Sequence, residues 1–550
     1  MCLWGLNTCS CLPTNKQSTR DIHNLKEVFV LDKRYNKFKA IVSRLYYYFL
    51  AHRHRFVQPI LLMVLILSVI IGAGYRSIVL KDKFGYPKEA LGWMISMASN
   101  YGRAPGMYSW EEYMFIREHP DEYVYTVGKS KFEPRSSMSS EIGWPLILHL
   151  ILKEGIKGLD NIALFIARYQ LMVELFVIVL LFWSGKGVAG GAGACLAAFL
   201  YGTFKIPMVQ MSDVYYYYWT IPFSALSLLF WAVVYRPGDD RIKIHWKYLS
   251  FFLYGILIGF ASFVRLYFMF LPLFMAPLLF IRERAIKKGL VLLAIMLLGQ
   301  SVFLVPQVLY NKKHFKEYTL TTRGHWHLFL QGVGFYPNPW GIPDPKDITM
   351  DEWAKARGNP NMFKDIEASE EWFKKQYLKM FREHPEIFIG NFLKHLKEGL
   401  TVSPTDFQFF GLVDEPTGFD RANRFFPWLV LSALFILFIV SRDQFWIGVA
   451  VSLQGLYLLL VIVTWFPPHI PFIASYIPVF VLLLATAVAV HIKMLIAILE
   501  GCIRCWVTDS GIKSLPKGIV DCYSEDWSVK PCSERSESNH SIEGPDSPAQ

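Results

Sequence analysis

Charge is scarce in this sequence: Asp, Glu, Lys and Arg are 18% of 550 residues, against 53% hydrophobic. That balance, with the apolar runs described below, excludes an ordinary soluble protein, because such runs are unmanageable in water. Cysteine is also sparse. Cys2, Cys9 and Cys11 lie near the N-terminus, Cys195 in an apolar run, and Cys502, Cys505, Cys522 and Cys532 near the C-terminus. Both tails are expected in the cytoplasm, where disulfides do not persist. Cys502 and Cys505 have zinc-like spacing, but the two later cysteines follow irregularly, and juxtamembrane thiols open to palmitoylation are the plainer reading. There is no HExxH, so the metalloprotease pattern is absent. Gly332-Val-Gly334 lacks the third glycine and the strand–turn–helix context of a dinucleotide site. No cleavable signal peptide is visible; the first apolar run follows more than fifty polar and basic residues and reads as a retained anchor.

What is present is a set of runs long enough to cross a hydrocarbon core of about 30 Å, which takes roughly 20 helical residues. An isolated apolar segment satisfies its backbone in lipid only as a helix, so the expected fold class is all-α and polytopic. About ten spans are predicted, near 57–74, 161–183, 187–204, 214–235, 247–264, 266–281, 288–309, 427–441, 445–465 and 475–497. The pair at 247–281 reads as one hairpin broken at Arg265. Trp144 to Leu152 is apolar but too short to span, and is expected at the interface or re-entrant. Lys37, Lys39, Arg44, Arg53, Arg55, the basic loops at 236–247 and 282–288, and Arg504 all fall on one side of this topology. By the positive-inside rule that side is the cytoplasm. Two insertions, 75–143 and 311–426, then share the opposite face. The predicted organisation is a cytoplasmic segment 1–56, a transmembrane region 57–310, an extracytoplasmic loop domain 311–426, transmembrane helices 427–498 and a cytoplasmic tail 499–550. The tail is rich in Ser, Glu and Pro beyond 525, and its sequon Asn539-His-Ser541 falls on the side where glycosylation does not occur. A plasma (inner) membrane location with both termini cytoplasmic is expected. The net charge of +11 is accounted for by topology and anionic lipid rather than nucleic acid.

Several residues carry chemistry. Arg265 sits between two apolar runs at the membrane edge, where it either snorkels or meets an anion such as a lipid phosphate. The glycine cluster Gly187, Gly190, Gly191 and Gly193 points to close helix packing. Tyr215 to Tyr218 form an aromatic belt or line a lipid-facing groove. The first insertion holds Asp82, Glu89, Glu111, Glu112, Glu118, Asp121, Glu122, Glu133 and Glu141, most of them expected as solvated surface. Glu89 opens the amphipathic stretch EALGWMISMASNYG, and Glu141 immediately precedes the short apolar segment; a carboxylate at the membrane surface can serve as general base or metal ligand. In the second insertion, RGHWHLFLQGVGFYPNPWGIPDPKD from Arg323 to Asp347 is too rich in Gly, Pro, Trp, His and Asn for an ordinary helix and too patterned for a floppy linker. His325 and His327 share one face if the backbone there is extended, with no convincing third metal ligand. Asp351 to Leu400 reads as amphipathic helix, basic on one face and suited to a membrane surface.

In this order the motifs resemble the GT-C-type membrane glycosyltransferases, the superfamily of protein O-mannosyltransferases and lipid A aminoarabinose transferase, in its prokaryotic members. The resemblance covers roughly 55–495. It is carried by one anchor helix and an acidic loop ending in Glu141-Ile-Gly143-Trp144-Pro145-Leu146; by YGILIGFASFVRLYFMFLPLF over 254–274; by Val305-Pro306 through Tyr310-Asn311; by the Arg323–Asp347 loop; and by Tyr476-Ile-Pro478 opening the final helix. The family's early acid after the first helix has Lys88-Glu89 as its match here, and its basic residue before the last-helix tyrosine is Ser475. The resemblance implies transfer of a hexosyl or pentosyl unit from a polyprenyl-phosphate donor to a glycan, lipid or protein acceptor at the extracytoplasmic face. It implies Glu89 or Glu141 as the base, and Arg265, with Arg323, His325, His327 and Tyr476, as donor-binding groups. Trp326, Tyr336, Asn338 and Trp340 become a lid or sugar platform. A divalent cation, Mg or Mn, is compatible with that chemistry, with no dedicated metal site assigned. A transporter or flippase of lipid-linked saccharides and an inactive scaffold of the same fold are the alternatives. The flippase predicts charges within spans and broken helices in two related halves, and few intramembrane charges are evident in the sequence.

Overall fold

In the computed structural model, residues 57–78, 80, 88–103, 105, 109–127, 132, 143–204, 216–234, 244–315, 318, 320, 326–343, 347–359, 366–401, 425–465 and 472–508 are described, some by backbone alone. The chain divides into two compact units, Met1–Leu62 and Met63–Gln550, and every contact given below lies within the second.

The described residues are helical, with one isolated β-bridge, Val124 to Lys157. In chain order the helices are α1 (Val57–Ile78), α2 (Lys88–Ser99), α3 (Trp110–Glu118), α4 (Gly143–Ile151), α5 (Leu159–Thr203), α6 (Thr220–Leu229), α7 (Ile244–Val264), α8 (Leu271–Glu283), α9 (Ile286–Phe315), α10 (Trp326–Gly334), α11 (Asp347–Lys355), α12 (Ile366–Glu383), α13 (Pro385–Thr401), α14 (Phe426–Val440), α15 (Arg442–Trp465) and α16 (Ile477–Thr508). Short 3-10 turns at Tyr216–Trp219, Leu266–Phe268 and Phe472–Tyr476 precede α6, α8 and α16. Among the described residues, eight helical segments are long and apolar enough to cross a membrane, and α14 is a shorter apolar helix. The protein is thus a polytopic helical membrane protein, as its apolar runs require.

Helix α5 is a hairpin. Its backbone leaves helical geometry only at Gly190 (φ 69°, ψ −158°). A Cβ placed on Gly185 would fall 2.4 Å from the Gly193 carbonyl oxygen. Along an unbroken helix those residues would be about 12 Å apart, so the second arm doubles back along the first. Only glycine adopts that backbone at low cost, and Lys493 of α16 donates to the carbonyl of Ala189 just before the break. Gly190→Val should therefore cost about 1–3 kcal/mol, read as a lower melting temperature in detergent; an unchanged melt would show that the reversal does not depend on glycine.

The segment at 244–283 is a second hairpin. Arg265 is extended (φ −154°, ψ 126°) between α7 and the 3-10 turn, and Lys247 Nζ bonds Glu283 Oε1 at 2.6 Å across the far end. Helices α7 and α9 meet backbone to backbone: a Cβ on Gly255 would lie 2.2 Å from Met296 O, and one on Gly299 2.3 Å from Phe252 O. Small residues allow this approach where lipid provides no hydrophobic drive between helices.

A buried ion pair ties α1 to α5. Arg76 and Glu174 are each 0% exposed and meet at 2.7 Å. Arg76 also donates to the carbonyls of Gly202 at 3.0 Å and Tyr201 at 3.3 Å, which end the short arm of α5. Tyr201 Oη donates to Glu174 Oε1 at 3.0 Å. A cation at a helix C-terminus answers unpaired carbonyls and the negative end of the dipole together. The sequence suggested few intramembrane charges, and this fully paired couple adds to them.

Candidate functional site

The described parts of both insertions lie at one end of the bundle. Tyr310 at the end of α9 donates to the carbonyl of Pro105 at 2.5 Å. In the second insertion, His395 Nδ1 lies 3.0 Å from the Val463 carbonyl at the end of α15. Arg265, between α7 and α8, belongs to the same end.

The first insertion is organised around Glu112, 1% exposed. Its carboxylate accepts from Ser96 Oγ (2.8 Å), Ser99 Oγ (2.9 Å), Asn100 Nδ2 (2.9 Å) and Tyr123 Oη (3.0 Å). Four neutral donors compensate a buried anion and weld α2 to α3. Burial, then the Glu112 charge, holds the Tyr123 hydroxyl well above its ordinary pKa. Among the described acids expected at the surface, Glu112 is the exception. Its sequence signal was Ser109-x-x-Glu112, a helix N-cap pattern. Ser109 does cap α3, accepting from the Glu112 N–H, but the reciprocal half is rerouted: the Ser109 N–H donates to Ser96 Oγ at 3.1 Å, which frees the Glu112 side chain for α2.

Helix α4 is the short apolar segment of the sequence. Trp144 is fully buried, its ring 5.4 Å from that of Trp93 on α2, and His149 Nδ1 lies 3.1 Å from the Ala98 carbonyl. Its first residue, Gly143, is seated on the end of α7. A Cβ there would lie 2.6 Å from Phe263 O and from Val264 N, so only glycine permits this approach. The start of α4 is thereby fixed one residue from Arg265.

Arg265 is half-buried in an aromatic clamp. Its guanidinium carbon stands 4.4 Å from the Tyr217 ring centroid and 5.1 Å from that of Tyr267. Nη2 donates to Tyr217 Oη at 2.7 Å. The two rings are stacked, 6.1 Å apart. A guanidinium is weakly hydrated and stacks well, so the clamp holds the charge between two apolar helices at modest desolvation cost. The turn ending in Tyr476 packs against the Tyr216–Trp219 turn. Tyr476 itself is buried, with its ring 6.3 Å from that of Phe480.

The second insertion has its own core of Leu330, Val333, Ile342, Met350, Trp353 and Phe373. Within Arg323–Asp347, residues 326–334 form α10 with Gly332 and Gly334 inside it, which corrects the expectation that this stretch is no ordinary helix; the Pro residues follow it. His327 Nδ1 meets Glu370 Oε1 at 3.1 Å, and the Trp326 N–H donates to Glu370 Oε2 at 2.9 Å. Asn338 staples the following turn: Oδ1 accepts from the Ile342 N–H at 2.9 Å, and Nδ2 donates to the carbonyls of Tyr336 and Ile342, each at 3.1 Å. The Trp340 ring lies 5.7 Å from His384 and 5.9 Å from Phe388. The Tyr336 ring lies 5.3 Å from that of His395 and 4.7 Å from Lys394 Nζ. Trp326 packs on Phe329 and Tyr377.

Burial alone would raise the Glu370 carboxyl, but His327 and the N–H groups of Trp326 and His327 outweigh it and hold the group below its ordinary value of 4.5. A carboxylate depressed in the folded state stabilises fully above its unfolded value and loses that contribution as pH falls through the folded one. Hydrogen-exchange protection of α10 should accordingly be constant above about pH 5 and fall on acidification below the ordinary carboxylate range. Glu370→Gln should remove most of that dependence; the same acid profile in the variant would assign it to another group.

The sequence-derived candidates are distributed unevenly. Arg265 follows the residue that seats the start of α4, while His327, Trp326, Tyr336, Asn338 and Trp340 belong to the loop domain. Glu89 stands in the first turn of α2 by its backbone alone, and Glu141, Arg323 and His325 lie outside the described residues. Among the described residues, no group of three or more His, Cys, Asp or Glu side chains is placed to hold a metal ion.

The chain matches no described protein family and no curated protein sequence. Among solved structures it is similar to the oligosaccharyltransferase of Archaeoglobus fulgidus. The apo form aligns over 80% of this chain and 52% of that one, at 12% identity and TM-score 0.44. The form tethered to an acceptor peptide with an NVT sequon aligns over 79% and 50%, at 11% identity and TM-score 0.42. The complex with an inhibitory peptide and a dolichol-phosphate aligns over 83% and 52%, at 10% identity and TM-score 0.42. The chain spans about half the length of these structures.

Proposed function

We propose that this protein is a membrane glycosyltransferase that moves a sugar from a polyprenyl-phosphate donor to a glycan, lipid or protein acceptor at the loop-bearing face of the membrane. The observation that carries the reading is the seating of Gly143 on Phe263 and Val264. It seats Gly143, which ends the acidic first insertion, on the residue before Arg265, and Glu141 stands two positions earlier in the sequence.

In the proposed reaction the acceptor oxygen attacks the anomeric carbon as the bond to the donor phosphate breaks. Glu141 or Glu89 takes the acceptor proton, and the polyprenyl phosphate departs with the bonding electron pair. Arg265 offers a fixed cation to the charge that grows on the leaving phosphate, the kind of preorganised stabilisation that accounts for much of catalysis. Such a pair of roles needs one acid and one cation on either side of a sugar, near the headgroup level of the membrane. Arg323, His325, His327 and Tyr476 remain as further donor contacts, and the aromatic residues of the second insertion as the cover that keeps water from the donor. His327 and Tyr476 are also structural, the first through Glu370 and the second through its burial.

The test is sugar transfer by the purified full-length protein from a panel of polyprenyl-phosphate sugars, with Glu89→Gln and Glu141→Gln compared. Loss of a general base lowers the rate by about 10²–10⁴-fold in one of the two variants. Unchanged transfer in both would remove the acid assignment. Absence of transfer from every donor, with the wild-type protein folded, would favour the scaffold over the enzyme.

A further inference from the structure

The geometry points to a second lipid site, apart from Arg265: a cleft beneath the second insertion that seats an acyl chain of an anionic membrane lipid, with the headgroup on the basic face of α12 and α13. The cleft, open on one side, has a volume of about 220 Å³ between α10, α12, α13 and the end of α15. Its walls are mainly apolar, with Phe329, Tyr377, Phe388 and Phe392 from the insertion and Val463 and Thr464 from α15.

Position argues for lipid as the occupant. Val463 and Thr464 are the last residues of the apolar span Arg442–Thr464, so the cleft opens where the span reaches headgroup level. Charge argues the same way. On α12, exposed Leu378 and Phe381 share a face with Lys374 and Arg382 at helical spacing, with Lys379 and the Glu371-paired Lys375 at its margin. On α13, exposed Ile389 and Leu393 continue in register to Lys397. Against these cations the exposed carboxylates described on the two helices are Glu371, Glu383 and Glu386. Exposed apolar side chains interleaved with Lys and Arg are the composition of a helix lying in a membrane interface, and each basic residue near an anionic surface adds attraction.

One polar group inside the cleft also asks for a ligand. Asn391 is 7% exposed and lines it, and its side-chain nitrogen has no hydrogen-bond partner among the described residues. A buried amide N–H without an acceptor costs stability, and the ester carbonyl of a glycerolipid is an acceptor that an acyl chain would bring with it. The His395 contact to Val463 fastens α13 to α15 and holds the cleft in place. The site would tether the loop domain to the bilayer whether or not the Arg265 region transfers sugar.

The experiment uses the full-length protein in phosphatidylcholine nanodiscs doped with phosphatidylglycerol bearing an acyl-chain diazirine. After irradiation, adducts are mapped by mass spectrometry, with adducts on α9 as the internal reference. Adducts are expected on peptides spanning 377–392, competed by unlabelled phosphatidylglycerol. The exposed-site variant Lys375→Glu/Lys379→Glu/Arg382→Glu should lose them at least about fivefold while the α9 adducts persist. Equal labelling by diazirine phosphatidylcholine, or equal labelling of the triple variant, would overturn the anionic-lipid assignment. Chain-to-chain crosslinks at 377–392 in place of lipid adducts would overturn it in favour of a second copy.

Discussion

Replacing Arg265 by alanine should lower sugar transfer about 10²–10³-fold, the loss typical when one preorganised group is removed from a developing negative charge. The melting temperature in detergent should move little by comparison. The clamp itself supports a modest stability term: two cation–π contacts and one hydrogen bond at a half-buried position, on the order of 1–2 kcal/mol. The loss should fall mainly on kcat, because the charge on the phosphate is greatest as the bond breaks. Arg265→Lys separates charge from geometry. It keeps a cation but loses the planar fork that stacks between Tyr217 and Tyr267, and should retain partial activity. Tyr217→Phe removes only the hydroxyl that accepts from Nη2 and should cost less than either. Full transfer by the alanine variant would reduce Arg265 to a snorkelling residue. An equal collapse of melting temperature and activity would make it structural.

Removing Arg76 should produce the largest loss of stability in the protein, with Arg76→Ala costing about 3–5 kcal/mol. The substitution strands Glu174, 0% exposed, without its cation, though Tyr201 Oη still donates to it. It also uncaps the Tyr201 and Gly202 carbonyls at the end of the short arm of α5. Glu174→Gln should be milder. The amide still accepts a hydrogen bond, and Arg76 keeps the carbonyls of Gly72, Tyr201 and Gly202. The double variant Arg76→Met/Glu174→Leu should recover much of the loss, because two well-packed apolar side chains need no desolvation. Thermal melts of the wild type, Arg76→Met, Glu174→Leu and the double variant in one detergent form the cycle that measures the coupling. An Arg76→Ala protein that melts with the wild type would show that the pair contributes nothing net.

Much of this architecture is legible in the residues taken one run at a time. The break at Arg265 was visible because a lone charge interrupts two apolar runs, and its partner end appears as the Lys247–Glu283 contact. The glycine cluster near 190 announced close packing, and Gly185 and Gly193 do nearly touch. That a single residue, Gly190, reverses the chain was not legible, because glycine in an apolar run signals proximity without naming a backbone angle. The helix at Trp326–Gly334 was obscured by Gly332 and Gly334 inside it and by the prolines that follow it. Ser109-x-x-Glu112 carries a capping pattern, yet the destination of the Glu112 side chain depends on α2.

What the sequence by itself determined is the class of solvent and the class of element. Transfer of an apolar run into lipid, and the need to satisfy its backbone there, are properties of some twenty adjacent residues. What only the tertiary structure decided is which distant groups meet: Arg76 with Glu174 across 98 positions, Glu112 with the end of α2, and Gly143 with Val264 beside Arg265. Those meetings depend on side-chain geometry brought together by packing between elements, and no local stretch of residues encodes that on its own.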